Sequence, residues 1–264
     1  MPNALIAACR DLYDGAKLAP LWWQLGIDQT ISRFRRTILG PFWLSANLVA
    51  ISIALTLVFG GLLGTNIRET FPMIMAGILC WTIIGQIMAD AAPIFLQSAA
   101  LMQVQKLPLS FHIFVHVQKA AINFTAQLIT FLIIMLALRL LKAPPHWTLI
   151  PALLLIFTNC FFLSLLTALP STRFRDIGFM VQFVVQIVFF LTPVFWLPSQ
   201  MSPTRRVLVD YNPLAHELEL IRQPLLGHAP TAANWIWSFG LMGILVVVAI
   251  IALALYRKRV VFWL

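Results

Sequence analysis

No charged residue stands between Arg36 and Arg68, while three arginines, Arg33, Arg35 and Arg36, crowd against the start of that stretch. A helix crosses the hydrocarbon core of a bilayer in about 20 apolar residues, and this run is long enough to do so. A chain inside lipid must satisfy every backbone polar group from its own atoms, which leaves helices or closed barrels. The short alternating strands of a barrel are absent from the sequence. The expected fold class is therefore all-α, a polytopic membrane protein.

Composition points the same way. Hydrophobic residues make up 61% of the chain, charged residues 10%, and mean hydropathy is +0.90, whereas a soluble domain carries about 25% charged residues. Six spans are expected at 38–64, 71–92, 112–141, 149–169, 177–197 and 235–256. Nothing else is large enough to form a second domain. Residues 1–264 are read as one transmembrane domain, with an amino-terminal segment and interface helix over 1–37, a six-span core over 38–256 and a tail over 257–264. Met1 to Pro20 carries Asp11 and Asp14 and lacks the apolar centre of a signal peptide, so the first span is expected to act as the targeting signal.

An even number of spans puts both termini on one side, and the basic residues choose which. Eleven fall with the termini (Arg10, Lys17, Arg33, Arg35, Arg36, Lys106, Arg173, Arg175 and Arg257 to Arg259) and six on the other side, with Lys119 inside a helix. This asymmetry predicts cytoplasmic termini. The net charge of +9 then needs no nucleic acid, since anionic inner-leaflet lipid attracts each nearby basic residue by about 1 kcal/mol. Cys9, Cys80 and Cys160 are dispersed and odd in number, which suggests neither a disulfide framework nor a zinc cluster.

Before the first span, Trp23, Ile27, Ile31, Phe34 and Ile38 recur at intervals of three or four. At about 100° per residue they share one arc of a helix, with the arginines outside it. The pattern predicts an amphipathic helix lying in the membrane interface and ending at Gly40-Pro41. The connection "APIFLQSAALMQVQKLPLSFH" predicts a short helix broken at Pro108. The stretch from Leu197 to Pro230 predicts two short helices or a partly re-entrant pair, with a stripe of Leu214, Leu218, Ile221 and Leu225.

Several polar groups invite chemistry. His112 and His116 have i, i+4 metal-ligand spacing but no third ligand, so no metal is expected. Asp210, Glu217 and Glu219 resemble paired carboxylates, yet Arg205, Arg206 and Arg222 lie among them and predict surface ion pairs rather than a catalytic site. Asn47, Gln86, Asp90, Lys119, Asn123, Gln127, Gln182 and Gln186 fall within expected spans, where polar groups face other helices or a water-filled path. Asp90 and Lys119 are expected to pair. Gly60 and Gly64 form a G-x-x-x-G packing motif, and Asp176 is expected to cap the fifth span.

Four stretches carry a family resemblance: "RFRRTILGPFWLSAN" at 33–47, "VQKLPLSFHIFVHVQKAAINF" at 104–124, "RFRDIGFMVQFVVQIVFFLTPVFW" at 173–196 and "YNPLAHELELIRQPLLGHAP" at 211–230, with "RKRVVFWL" at the end. Together they resemble the permease subunits of ABC-type polysaccharide exporters, and look closest to the O-antigen branch. The resemblance implies a homodimer in the bacterial inner membrane, bound to two copies of a separate P-loop ATPase. That ATPase would hold ATP and Mg; no cofactor is expected in this chain. It also implies a coupling helix at 93–108, with Gln103, Gln105 and Lys106 as contact candidates, and gate helices within 198–230. The cargo implied is an undecaprenyl-pyrophosphate-linked polysaccharide: O-antigen, capsule or a teichoic-acid-like polymer. The chain contains no G-x-x-x-x-G-K-[ST] loop with which to cradle ATP phosphates itself.

Within that frame Arg33, Arg35 and Arg36 either anchor the chain to membrane lipid or touch the cargo's pyrophosphate, which guanidinium forks suit. Phe42, Trp43, Trp81, Phe189, Phe190, Phe195 and Trp196 either belong to an ordinary membrane-boundary belt or stack on sugar rings along a channel. Arg173, Arg175 and Asp176 are candidates for the channel mouth. The competing functions are an ABC-type exporter of a small drug or lipid and, from another class, a membrane-bound glycan-processing enzyme using Asp210 or Glu217.

Overall fold

The computed structural model describes residues 2–38, 40, 42–63, 66–198 and 202–264. Among them every regular element is a helix. The first two, α1 (Pro2–Lys17) and α2 (Ala19–Phe34), meet at Leu18, and Pro20 opens α2 where its missing N–H costs nothing. There follow α3 (Phe42–Leu63), α4 (Ile67–Ala91), the short α5 (Ile94–Gln97) and α6 (Ala99–Val104), and α7 (Leu109–Ala137). The chain continues through α8 (Leu149–Arg173), α9 (Asp176–Leu191), α10 (Pro203–Asp210), α11 (Pro213–Leu225) and α12 (Ala232–Trp263).

Five of these are long and apolar enough to cross a membrane: α3, α4, α7, α8 and α12. The fifth span expected from sequence, 177–197, is instead the 16-residue α9. At about 1.5 Å per residue it reaches roughly 24 Å, short of a hydrocarbon core of about 30 Å. Pro193 is the cause: it has no N–H to continue the ladder, and it drives Thr192 out of the helical region to φ −94°, ψ 137°. Residues 192–196 then turn inward, burying Val194 and Phe195 against α4. Glycine is required at the meeting point, because a Cβ on Gly77 would lie 1.9 Å from the Val194 carbonyl oxygen.

The central element is α4, whose Ile74, Met75, Leu79, Ile83 and Ile87 are fully buried among residues of α7, α8 and α11. A second apolar cluster joins α1, α5, α7, α8 and α12 through Ala8, Phe95, Ile113, Leu165 and Leu253. In α2 the small residues Gly26 and Thr30 are buried, with α7 packed against the helix, while Trp23 and Ile31 of the expected stripe stay exposed. That outward apolar face suits an interface helix. The helix ends at Phe34 rather than at Gly40-Pro41. The Thr37 hydroxyl and amide both donate to the Phe34 carbonyl, at 2.8 and 3.0 Å, closing the last turn early. Pro41, and Gly64 of the G-x-x-x-G motif, lie outside the described residues.

Candidate functional site

The 93–108 connection forms two short helices rather than one, broken at Ser98, and then leaves the helix at Gln105 and turns tightly at Lys106, where the Leu107 amide donates to the Gln105 carbonyl at 2.9 Å. Gln103, Gln105 and Lys106 are all exposed. They border a cleft of about 820 Å3 whose other walls are Arg10 and Asp14 of α1 and Arg257 of α12. One side chain missed by sequence reading holds this region together. The buried Asp11 carboxylate accepts from the Leu109 and Ser110 amides at 3.2 and 3.0 Å, and Ser110 Oγ donates to the Asp11 carbonyl at 2.7 Å. Asp11 thus caps α7 from α1, satisfying amides that have no partner within their own helix. Arg257 adds a second tie by donating to the Ala7 carbonyl. Replacing Asp11 by alanine is expected to cost about 1–2 kcal/mol, the usual loss for a helix cap. Hydrogen exchange at the Leu109 and Ser110 amides should then be roughly 5–30 times faster; unchanged exchange would rule out the cap.

The three arginines are not equivalent. Arg35 and Arg36 lie past the end of α2 and are exposed. Arg33, in the last turn of α2, lines a polar cavity of about 320 Å3 between α2, α4 and α7. The cavity gathers Gln86 and Asp90 of α4 with Lys119, Asn123 and Gln127 of α7. Five of the scattered intramembrane polar residues therefore converge on one space. Asp90 and Lys119 share it without the expected ion pair; Lys119 Nζ donates instead to Gln29 Oε1 at 2.9 Å. Of the two histidines, His116 Nε2 lies 3.2 Å from the Ile87 carbonyl, and His112 is buried edge-on to the Phe95 and Phe111 rings.

The aromatic residues divide. Trp81, Phe189, Phe190 and Phe195 form one packed group with Phe59, with ring centroids 4.9–6.3 Å apart. Phe195 is buried and Trp196 half-buried against the first core, so neither offers a free face. Phe42 and Trp43 at the start of α3 are exposed, as is Phe190. Helix α9 has no buried residue at all. Its Phe179 and Phe183, which sequence reading passed over, are 74% and 66% exposed. Their spacing with Ile187 and Phe190, at intervals of three or four, was the available signal.

At the α8–α9 turn Arg173, Arg175 and Asp176 are all exposed. The Arg173 guanidinium lies over the Phe174 and Trp263 rings at 5.1 and 5.5 Å. Asp176 is the first helical residue of α9 rather than its cap. Arg175 holds the cap position without a side-chain bond, so Asp176 acts through its charge at the positive end of the helix.

The two short helices expected between the last spans are present as α10 and α11, but their charges are not the surface pairs expected. Only Arg206–Asp210, at 3.8 Å, is an exposed pair; the side chain of Arg205 lies outside the described residues. Arg222 is 1% exposed, donating to the Pro193 carbonyl at 2.6 Å and pairing with Glu219, which also accepts from Gln223 at 2.8 Å. Glu217 is buried against Asn159 Nδ2 at 2.5 Å, and the same amide donates to the Ser238 carbonyl at 3.2 Å. Burial pushes the Glu217 carboxyl up to about 7, against the opposing effect of the Asn159 hydrogen bond. The surface expectation fails because α11 is packed on three sides, by α4, α8 and α12.

The arrangement is that of a membrane-embedded helical bundle with a polar cavity at one end of α4, an unburied apolar helix and an inward-turned segment after it. A search of curated proteins finds no match to the chain. The sequence model of the ABC-2 type transporter family, however, matches residues 20–226, which span α2 to α11 and most of the chain, and the protein therefore belongs to the ABC-2 type transporter family.

Proposed function

We propose that this chain exports a lipid-linked polysaccharide, an O-antigen or a capsule or teichoic-acid-like polymer, across the bacterial inner membrane. As a membrane component of the ABC-2 family it is the permease of an ABC exporter, and the family implies an ATPase partner. Two copies of the chain form the pore, with two copies of the P-loop ATPase bound at the exposed Gln103, Gln105 and Lys106. Both termini are cytoplasmic, the sixth crossing being made by α9 together with the turn and α11 after it: Gly178 lies beside Ala92, Val194 beside Gly77, and the Pro224 carbonyl accepts from the His146 amide in the α7–α8 connection. The energy comes from ATP and Mg held by that partner. Helices α10 and α11 serve as gates on the outer side.

The observation that carries the polymer reading is α9. It is apolar, it buries nothing, and it presents Phe179, Phe183 and Phe190 outward. Two such helices facing one another across a dimer, beside Phe42 and Trp43, would line a passage with aromatic faces. Such faces stack on sugar rings with few fixed hydrogen bonds, which lets a polymer slide. Arg33, Arg35 and Arg36 receive the pyrophosphate at headgroup depth.

The test is ATP hydrolysis by the purified permease–ATPase complex on adding undecaprenyl-pyrophosphate-linked glycan. Stimulation is expected. Changing Arg35 and Arg36 together to lysine should leave membrane insertion and ATPase binding intact and lower the stimulation several-fold, because lysine keeps the charge but loses the planar fork for bidentate phosphate contacts. Wild-type stimulation in that variant would reduce these arginines to anchors. No stimulation by the glycan in the wild-type complex would favour a small-molecule or lipid cargo.

A further inference from the structure

We infer that the cavity between α2, α4 and α7 is a binding site for a phosphate ester carrying adjacent hydroxyl groups, the headgroup chemistry shared by an anionic polyol lipid and a glycosyl phosphate. Three features of the cavity support this. It holds two cationic side chains, Arg33 and Lys119, against one carboxylate, Asp90, so it favours a net negative guest. No ion pair joins Asp90 to Lys119 among the described residues, so although their charges act on one another across the cavity, neither group is taken up in a direct contact with the other. Its far wall has polar atoms without partners: Gln127, only 2% exposed, has Oε1 unbonded, and so is Oδ1 of Asn123.

A buried acceptor left unbonded costs about 1–3 kcal/mol, so these carbonyl oxygens call for donors. A phosphate supplies none, but hydroxyls attached to it do. The two kinds of group are also separated along the cavity. Arg33 sits at the end of α2, next to the exposed apolar stripe. Asn123 and Gln127 lie one and two turns along α7 from Lys119. A ligand with its phosphate at the cations and its hydroxyls at the amides satisfies both. Asp90, the penultimate residue of α4, places the cavity at that end of the helix, and Lys119 lies roughly 15 Å along α7 from its start. A choline headgroup offers no donor, and an ethanolamine headgroup brings no net negative charge.

The assignment to a glycosyl phosphate rests on the exporter reading above; that to a phospholipid does not. The full-length protein is reconstituted in bilayers holding equal parts of phosphatidylglycerol, phosphatidylethanolamine and phosphatidylcholine. Lipids retained after detergent extraction are then counted by native mass spectrometry. Phosphatidylglycerol should be retained preferentially. Arg33→Gln removes an exposed side chain and leaves packing intact; Asn123→Asp keeps the shape and adds a repelling charge. Each should weaken that retention about tenfold. Equal retention of the three lipids, or unaltered preference in both variants, would overturn the site. Undecaprenyl-pyrophosphate-linked glycan is then added: displacement of phosphatidylglycerol assigns the site to cargo, and persistence assigns it to a resident phospholipid. Because retention needs neither ATP nor polymer export, a chain that keeps the lipid yet exports no glycan would refute the exporter reading and leave the site standing.

Discussion

Alanine in place of Arg222 is expected to destabilise the protein by about 3–5 kcal/mol, the usual cost of removing one partner of a buried ion pair. The side chain is 1% exposed, and it holds three things at once. It pairs with Glu219, it donates to the Pro193 carbonyl at 2.6 Å, and it fills the space between α11 and the inward turn after α9. Truncation leaves a carboxylate with only Gln223 as donor, an unbonded carbonyl and a cavity. Lysine should recover only part of the loss, because a single ammonium lacks the fork that reaches two acceptors. Replacing the pair together, Arg222→Met with Glu219→Gln, should recover most of it, since no uncompensated charge then remains. Thermal melting of the four proteins in detergent distinguishes these outcomes. A wild-type melting temperature for Arg222→Ala would show that the turn at Pro193 is held by packing alone.

Glu217→Gln is expected to do the opposite at alkaline pH. The carboxyl titrates near 7 in the fold against an ordinary value of 4.5. A carboxyl raised in this way binds its proton more tightly folded than unfolded, so it contributes most below pH 4.5, and that contribution is lost as pH rises to about 7. The loss amounts to something on the order of 3 kcal/mol, at about 1.4 kcal/mol per pH unit. Glutamine keeps the acceptor for Asn159 Nδ2 and carries no charge, so it removes the pH dependence without removing the hydrogen bond. The difference in melting temperature between wild type and variant should therefore be small at pH 5 and grow by several degrees toward pH 8, with the variant the more stable. A difference that stays constant across that range would mean that Glu217 is ionised in the fold throughout.

Read from the sequence alone, α3, α4, α7, α8 and α12 were legible for one reason. Long uncharged runs leave a chain in lipid no option but a helix that bonds its own backbone. The same holds for the outward stripe of α2, where the spacing of Trp23, Ile27 and Ile31 is a local property of helix geometry. The early end of α2 and the shortness of α9 were legible only in part. Pro193 is visible in the sequence, but whether the chain beyond it stays in lipid or turns inward depends on Gly77 of α4 leaving room for a carbonyl. What remained was decided by contacts between residues far apart in the chain. Asp11 caps a helix that begins at Leu109, Glu217 is buried because Asn159 meets it, Arg222 is buried because Pro193 turns back to accept from it, and Arg33, exposed like Arg35 and Arg36, differs from them in bordering the cavity between α4 and α7. The first three, Asp11, Glu217 and Arg222, carry ionisable side chains that would be placed in water by their own preference, and all three are buried. Only a partner brought across the fold offsets the cost of leaving water, and the identity of that partner is a property of the packing.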